Sequence, residues 1–177
     1  WRNFYKEVYE KSLPKVVLPK RKEGFGWGII MASFMSLQYL FDCSEERFGV
    51  YKWTDEDLNK LIVHNDRDPV KNGAYTIWCR DRVEADEETK NRSCNKNIQG
   101  GIRGMTLAER LNLDLWFHWR TSQHLDVKNI TLCTGSRDSR GYVPCVNWRV
   151  GRHRADIFWA SFDDVYDSLR TRVVVDE

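Results

Sequence analysis

The feature that most constrains the fold is an amphipathic segment at residues 105–126, MTLAERLNLDLWFHWRTSQHLD. Thr106 followed three residues later by Glu109 is a capping-box pattern, in which each side chain accepts a hydrogen bond from a backbone N–H at a helix start. Apolar residues then recur at helical spacing: Ala108, Leu111, Leu115 and Trp119, widened by Leu107 and Trp116. Such a stripe predicts a long helix with one face packed on a core.

Beyond Asn129 the pattern changes to short apolar runs separated by turn residues. The runs are NITLCTGS, YVPCVNWRV, ADIFWAS and LRTRVVV. Because helical patterns precede this cluster of strands, we expect an α+β fold. Its helices should lie in the first two thirds of the chain, and its short antiparallel strands in the C-terminal third.

Shorter elements are predicted before the long helix. Residues 2–12 have an amphipathic pattern that Pro14 ends, and residues 54–66 begin with a threonine and acids, so both read as short helices. A strand is predicted from Ala74 to about Arg82, after an Asn-Gly turn signal.

The most apolar stretch is residues 27–41, WGIIMASFMSLQYLF. It is too short to span a bilayer and contains serines and a glutamine, so we predict a buried helix. Without a convincing signal peptide or transmembrane segment, we expect a protein of the cytoplasm or cell surface. We divide the chain into an N-terminal helical segment or appendage at residues 1–48 and a domain at residues 49–177.

Charge and motifs argue against several functional classes. The net charge is only +2, which gives no electrostatic reason to expect a nucleic-acid or anionic-membrane partner. The chain has no P-loop, dinucleotide fingerprint, HExxH, GxSxG or EF-hand loop. Acids in the last strands are scattered, so we expect neither a calcium site nor any cofactor.

Two alternatives remain open. The chain has five cysteines and no CxxC, which favours reduced structural thiols, but Cys79 or Cys133 beside His118 or His124 would suit a small hydrolase. Arginines interleaved with aromatic residues near the C-terminus would suit a nucleic-acid-binding accessory protein. Nearby aspartates offset most of that positive charge.

The last quarter of the chain lacks several residue types completely. Residues 1–128 contain 27 lysines, glutamates, glutamines and methionines, whereas Asn129 to Asp176 contain none. At a uniform rate this segment would hold about ten. Selection for strands depletes lysine, glutamate and glutamine somewhat, but it does not explain why arginine and aspartate replace them.

A codon argument does explain the replacement. Lys, Glu, Gln, Met and Trp have no codon that ends in a pyrimidine, whereas Arg, Asp, His, Asn, Tyr, Ser, Phe, Cys and Ala do. Random replacement of adenines in AAC or AAT asparagine codons therefore reaches only the residue types found here. Trp148 and Trp159 must then be unchanged framework residues.

With these residues the chain resembles the variable proteins of diversity-generating retroelements. The resemblance covers about the last 40 to 50 residues, from TLCTGSRDSRGYVPCVNW to FDDVYDSLRTRVVV. In that family a reverse transcriptase introduces adenine-specific errors into a copy that overwrites the 3′ end of a target gene. The resemblance implies a C-type lectin-like fold with a variable region at about residues 138–168. The frames TLCxGSR, GxVPxVxW and DxLRxR are also similar to small proteins of uncultivated bacteria with minimal genomes.

The resemblance implies a binding surface for an unknown protein or glycan, and no enzymatic activity. The candidate ligand-binding positions are Asp138, Arg140, Tyr142, Cys145, Asn147, Arg149, Arg152, His153, Arg154, Asp156, Phe158, Ala160, Ser161, Asp164, Tyr166 and Ser168. The expected core comprises Val143, Pro144, Val146, Trp148, Trp159, Leu169 and the valines at 173–175.

Strand alternation predicts that candidates and core residues take opposite faces. In particular, Tyr142, Cys145 and Asn147 should lie opposite Val143, Val146 and Trp148. We also expect Arg152, Phe158, Ala160 and Tyr166 to lie together on an outer face. The alternative is an ordinary arginine-rich end of a sheet, with no variable surface.

Overall fold

The structure is a computed structural model that describes Trp1–Asp176. Its α-helices are α1 (Arg2–Val8), α2 (Leu37–Phe48), α3 (Leu58–Leu61), α4 (Pro69–Asn72), α5 (Cys94–Gln99) and α6 (Leu107–Thr121). Its strands are β1 (Trp27–Met31), β2 (Val50–Lys52), β3 (Ile62–Asn65), β4 (Tyr75–Cys79), β5 (Ile130–Leu132), β6 (Ser136–Asp138), β7 (Val143–Arg149), β8 (Arg154–Ala160), β9 (Leu169–Arg170) and β10 (Val174–Val175). Short 3₁₀ turns occupy Glu87–Thr89 and Val150–Arg152. The expected α+β class is confirmed.

The strands form three sheets. The largest has the order β2-β8-β7-β5-β9, and the others are β1-β4-β10 and β3-β6. An antiparallel β7–β8 hairpin at the centre of the largest sheet pairs Val143 with Ala160 at one end and Arg149 with Arg154 at the other. However, β2 runs parallel to β8, and β9 parallel to β5, so the C-terminal sheet is mixed and not purely antiparallel.

Helix α6 has the predicted capping box. The Thr106 hydroxyl accepts a hydrogen bond from the Glu109 amide at 3.2 Å, and the Glu109 carboxylate accepts one from the Thr106 amide at 2.8 Å. The helix ends at Ser122, which has a left-handed φ of 56°. It contacts α1, α2, β1 and β7, so it is the element around which the other layers pack.

Residues 1–48 share the main core with the rest of the chain. Phe4 and Ile29 lie in the same buried cluster as Leu111 of α6 and Val146 of β7. Strand β1 also pairs with β4 along its whole length. The expected boundary near residue 48 therefore does not separate two cores, because the N-terminal segment supplies two helices and a strand to one packed unit.

The prediction of one buried helix over residues 27–41 is wrong in its first part. Trp27–Met31 is strand β1, and α2 starts only at Leu37, after Ser36 has capped it by accepting a hydrogen bond from the Tyr39 amide at 3.2 Å. A short apolar run has no periodicity that separates a buried strand from a buried helix. The strand predicted from Ala74 to about Arg82 is confirmed as β4 (Tyr75–Cys79), whereas β1, β2 and β3 were not predicted.

A buried ion network ties the C-terminal segment to α6. Asp126 accepts hydrogen bonds from Arg110 at 2.8 Å and from Arg172 at 2.7 Å, and all three side chains are at most 1% exposed. Thr131 donates a further bond to this carboxylate. Burial raises the pKa of Asp126, but the two guanidinium groups outweigh it and hold the pKa below its ordinary value.

No helix between Trp1 and Asp176 combines the length and apolar character that crossing a membrane requires.

Candidate ligand-binding surface

The β7–β8 hairpin sorts its side chains onto two faces. Directly paired residues share a face, and alternate residues along a strand point to opposite faces. One face, here called the hairpin face, carries seven candidate positions: Cys145, Asn147, Arg149, Arg154, Asp156, Phe158 and Ala160. The other face carries Pro144, Val146, Trp148, Ala155, Ile157 and Trp159, most of which pack in or against the main core. All the candidates on these two strands thus share one face.

Exposure divides the sixteen candidates into three groups. The exposed ones are Arg140, Tyr142, Arg149, Arg152, His153 and Tyr166. The half-buried ones are Arg154, Phe158, Ser161, Asp164 and Ser168. The buried ones are Asp138, Cys145, Asn147, Asp156 and Ala160. The expectation that all candidates are surface groups is therefore wrong for five, including Ala160, which was expected on the outer face with Arg152, Phe158 and Tyr166.

Asp138 is buried because it organises the turn between β6 and β7. One carboxylate oxygen accepts hydrogen bonds from the amides of Arg140 and Tyr142, each at 2.9 Å. The other accepts from the Arg140 guanidinium at 2.8 Å. An aspartate that bonds the backbone two residues on is a common turn former, so Asp138 belongs to the framework.

Cys145 and Ala160 are buried because a second, smaller cluster covers one end of the hairpin face. They pack there with Val143 and Leu169, and Phe158 lies against the cluster. Val143 was expected opposite Cys145, which is wrong because residues two apart on a strand share a face. The smaller cluster therefore limits how far the hairpin face is open to a ligand.

Asp156 is buried beneath three arginines at the other end. Arg154 Nε donates a hydrogen bond to Asp156 Oδ1 at 2.8 Å. The guanidinium groups of Arg149 and Arg152 lie 3.6 and 3.9 Å from Oδ2, which is too far for a hydrogen bond. The carboxylate thus gathers three positive side chains, of which Arg149 and Arg152 are more than half exposed.

Two aromatic residues outside the sixteen candidates extend this surface. Tyr51 on β2 pairs with Asp156, and its ring centroid lies 4.1 Å from the Arg154 guanidinium carbon. Trp53 packs edge-on against Tyr51 and is 54% exposed. The alternation of Tyr51 and Trp53 after a glycine could have suggested a strand. However, the sequence around these residues does not indicate that the strand pairs with β8, a hundred residues away.

A groove of about 730 Å³ lies beside the turn that Asp138 organises. Arg140 stacks over Tyr142 at 4.9 Å, and Arg137 stacks over Phe162 at 5.7 Å. Ser161 also lines the groove. This region thus combines the candidate positions Arg140, Tyr142 and Ser161 with Arg137 and Phe162, which were not among the candidates.

The geometry offers no support for a cysteine–histidine centre. Cys79 and Cys133 are buried, and this burial raises the pKa of each thiol to about 12, so both are protonated near neutral pH. Neither His118 nor His124 has a cysteine among its hydrogen-bond partners in Trp1–Asp176; His118 Nδ1 lies 3.3 Å from the Gln123 carbonyl oxygen. His124 instead stacks on Trp148 with 3.3 Å between ring centroids.

The arginine and tryptophan side chains do not form one strip. Trp148 and Trp159 lie on the face of the hairpin opposite to Arg149 and Arg154. The described residues also contain no group of three or more His, Cys, Asp or Glu side chains that is arranged to hold a metal ion.

In comparisons with known proteins, no family model, no curated protein and no solved structure matches this chain.

Proposed function

We propose that this protein is a non-enzymatic ligand-binding protein whose C-terminal surface is diversified by retroelement mutagenesis. The proposed scaffold is a C-type lectin-like domain, and the proposed ligand is a protein or a glycan. The β7–β8 hairpin and its flanking turns present the changing residues, while α6 and the main core hold the hairpin in place.

The division of the hairpin into two faces is the observation that carries this proposal. A surface that accepts random residues cannot depend on them for folding. The seven candidates on the hairpin share a face, and Val146, Ile157 and Trp148 on the opposite face pack in or against the main core. The core side of the hairpin can therefore stay constant while the part of the hairpin face that is not buried changes.

The tryptophans give independent support. Trp codons cannot arise from asparagine codons by changes of adenine alone, so Trp148 and Trp159 have to be framework residues. Both lie on the core face of the hairpin.

Burial refines which positions change freely. Asp138 bonds two backbone amides, and Cys145 and Ala160 pack in the smaller cluster, so a random residue there costs stability. Arg154, Phe158 and Asp164 are also held, because Arg154 bonds Asp156, Phe158 packs against the smaller cluster and Asp164 accepts a hydrogen bond from the Ser161 amide at 2.7 Å. The side chains of Arg149, Arg152 and Tyr166 are exposed and make no hydrogen bond to the described residues. We expect diversity to be greatest at Arg149, Arg152 and Tyr166.

Sequencing the locus in several sister cells tests the proposal directly. We expect amino-acid differences concentrated at the exposed candidates, a nearby reverse-transcriptase gene, and a near-identical repeat that differs only at adenines. Differences spread evenly along the chain would contradict the proposal.

A library experiment tests the same idea on the protein. Random codons at Arg149, Arg152 and Tyr166 should leave most variants folded, and selection should recover binders to unrelated proteins. A matched library at the core positions Val146, Ala155 and Ile157 should yield mostly unfolded protein. Equal loss of folding in both libraries would exclude a tolerant display surface.

A further inference from the structure

A cleft of about 600 Å³ opens beside the turn between β7 and β8. The charged side chains that line it are Lys128, Arg149 and Arg152, and no carboxylate is among the described residues of its lining. The side chains of Arg149 and Arg152 make no hydrogen bond to any residue in Trp1–Asp176, although both guanidinium groups face Asp156 Oδ2. Each guanidinium therefore keeps its N–H donors available to a ligand.

A buried polar side chain also faces this cleft. Asn147 lines it and is only 7% exposed. Its Oδ1 is completely buried and accepts no hydrogen bond from the described residues. The amide nitrogen is therefore the part of Asn147 that a ligand in the cleft can reach, and it is a hydrogen-bond donor like the arginines around it.

The charges next to the cleft leave an excess of positive charge. Arg154 and Asp156 form a hydrogen-bonded pair behind Arg149 and Arg152. Glu84 accepts hydrogen bonds from the backbone amides of Lys128 and Asn129, at distances down to 2.8 Å. Four cationic side chains therefore stand against two carboxylates, and this excess of positive charge favours an anionic ligand. The cations are Lys128, Arg149, Arg152 and Arg154, and the carboxylates are those of Glu84 and Asp156. Arginine in particular suits a carboxylate because its planar fork donates two parallel hydrogen bonds.

The walls of the cleft indicate which kind of anion fits. Val127 and Val150 line it and are 42% and 56% exposed. A polyanion such as nucleic acid binds through many phosphate contacts, and a net charge of +2 gives it little attraction. A peptide that carries both carboxylates and aliphatic side chains matches the arginines and the valines together.

We propose that this cleft binds an acidic, partly apolar peptide segment of a protein ligand, with a carboxylate held between Arg149 and Arg152. This inference rests on the proposed function. It names the class of ligand that the variable surface binds with the residues present in this sequence. Lys128 and Val127 precede the segment that lacks lysine, so they form a constant wall of the cleft, whereas Asn147, Arg149, Arg152 and Ser168 set its preference.

The test is a two-dimensional ¹H–¹⁵N NMR titration of the full chain. The probe is a short peptide of leucine and glutamate, acetylated and amidated at its ends, and its counterpart has glutamine in place of each glutamate. We expect the acidic probe to shift the side-chain N–H signals of Arg149, Arg152 and Asn147, and to bind at least tenfold more tightly than the glutamine probe.

Variants localise the effect. The double variant Arg149→Gln/Arg152→Gln should weaken binding of the acidic probe at least tenfold. The control Arg2→Gln/Lys6→Gln removes the same charge from exposed positions on α1 and should change binding less than twofold. Unshifted signals at millimolar probe, equal binding of both probes, or equal weakening by both double variants would overturn the proposal.

Two further probes separate the ligand classes. The two probes are an oligogalacturonate and a single-stranded DNA decamer. If either bound Arg149 and Arg152 more tightly than the acidic peptide does, the cleft would belong to another ligand class and the proposal would be overturned. None of these results decides the proposed function, because the locus and the library experiments report on diversification independently of the ligand.

Discussion

Asn147 and Asp156 lie directly opposite each other in the β7–β8 ladder, and each has a buried oxygen that accepts no hydrogen bond from the described residues. Two acceptors on neighbouring strands do not stabilise each other. The surrounding arginines offset the cost of burying these oxygens. Arg154 donates a hydrogen bond to Asp156, and the guanidinium groups of Arg149 and Arg152 lie within 3.9 Å of the Asp156 carboxylate. Asp156 thus anchors the positive side of the surface.

Replacing that anchor tests its role. Asp156→Asn removes the charge that holds Arg154, and we expect a loss of about 1–2 kcal/mol in unfolding free energy, reduced by the partial exposure of Arg154. Urea titration at low and at 0.5 M salt measures it, and salt should shrink the difference. Asp167→Asn, an exposed control, should change stability little. Equal effects of the two variants would contradict the anchor.

Exposure should separate tolerant positions from framework positions. Arg152→Ser and Tyr166→Ser should each change the unfolding free energy by less than about 0.5 kcal/mol, because both side chains are exposed. Cys145→Asn should cost about 2 kcal/mol or more, because it places an amide among Val143, Ala160 and Leu169. Thermal and urea unfolding measure the change in unfolding free energy for each of these variants. Tolerance of Cys145→Asn would show that the smaller cluster is not part of the framework.

The buried network around Asp126 should dominate the stability of the C-terminal segment. Arg172→Met leaves Arg110 as the one guanidinium that bonds Asp126 among the described residues, and we expect a loss of about 3–5 kcal/mol. The pKa of Asp126 is below its unfolded value, so its contribution is present above the unfolded pKa and is lost as pH falls through the folded one. Urea unfolding at pH 7 and pH 3 should therefore show a smaller difference between variant and parent at pH 3. Arg2→Gln serves as the exposed control.

His124 predicts a pH dependence in mild acid. Burial lowers its pKa to about 4 from the ordinary 6.5, so the folded protein binds a proton there less readily than the unfolded chain. Stability from this residue is complete above pH 6.5 and declines as pH falls toward 4. His124→Phe keeps a ring against Trp148 but removes the titration, so it should flatten the change in unfolding free energy between pH 7 and pH 5. An unchanged slope in the variant would contradict the assignment.

Thiol reactivity tests the hydrolase alternative. Cys79, Cys94, Cys133 and Cys145 are buried and Cys43 is half-buried. A thiol reagent at pH 8 should therefore modify Cys43 first in the folded protein, and all five cysteines after denaturation. Rapid labelling of Cys79 or Cys133 in the folded state would reopen the possibility of a catalytic thiol.

Local signals account for what the sequence predicted well. The Thr106–Glu109 capping box and the apolar stripe after it lie within one helix, so α6 needed no information from distant residues. Strand alternation likewise placed Cys145 and Asn147 on the face opposite Val146. Both features repeat with a fixed period along the chain, which is why they can be read without a structure.

Contacts between distant segments account for the errors. Trp27–Met31 became a strand because it pairs with β4, and Tyr51 joined the surface because β2 pairs with β8. The burial of Asp156 depends on side chains from both strands and the turn between them, and that of Cys145 on Leu169. A periodic pattern assigns a residue to a face but does not tell what covers that face.

The position of β8 within its sheet has a consequence for the proposed diversification. Unpaired strand edges recruit other chains and promote aggregation. Strand β8 has β7 along one side and β2 beside Ala155–Ile157 on the other, so much of its backbone hydrogen bonding is already occupied. New side chains can therefore be tried on this strand while its main chain remains protected from self-association.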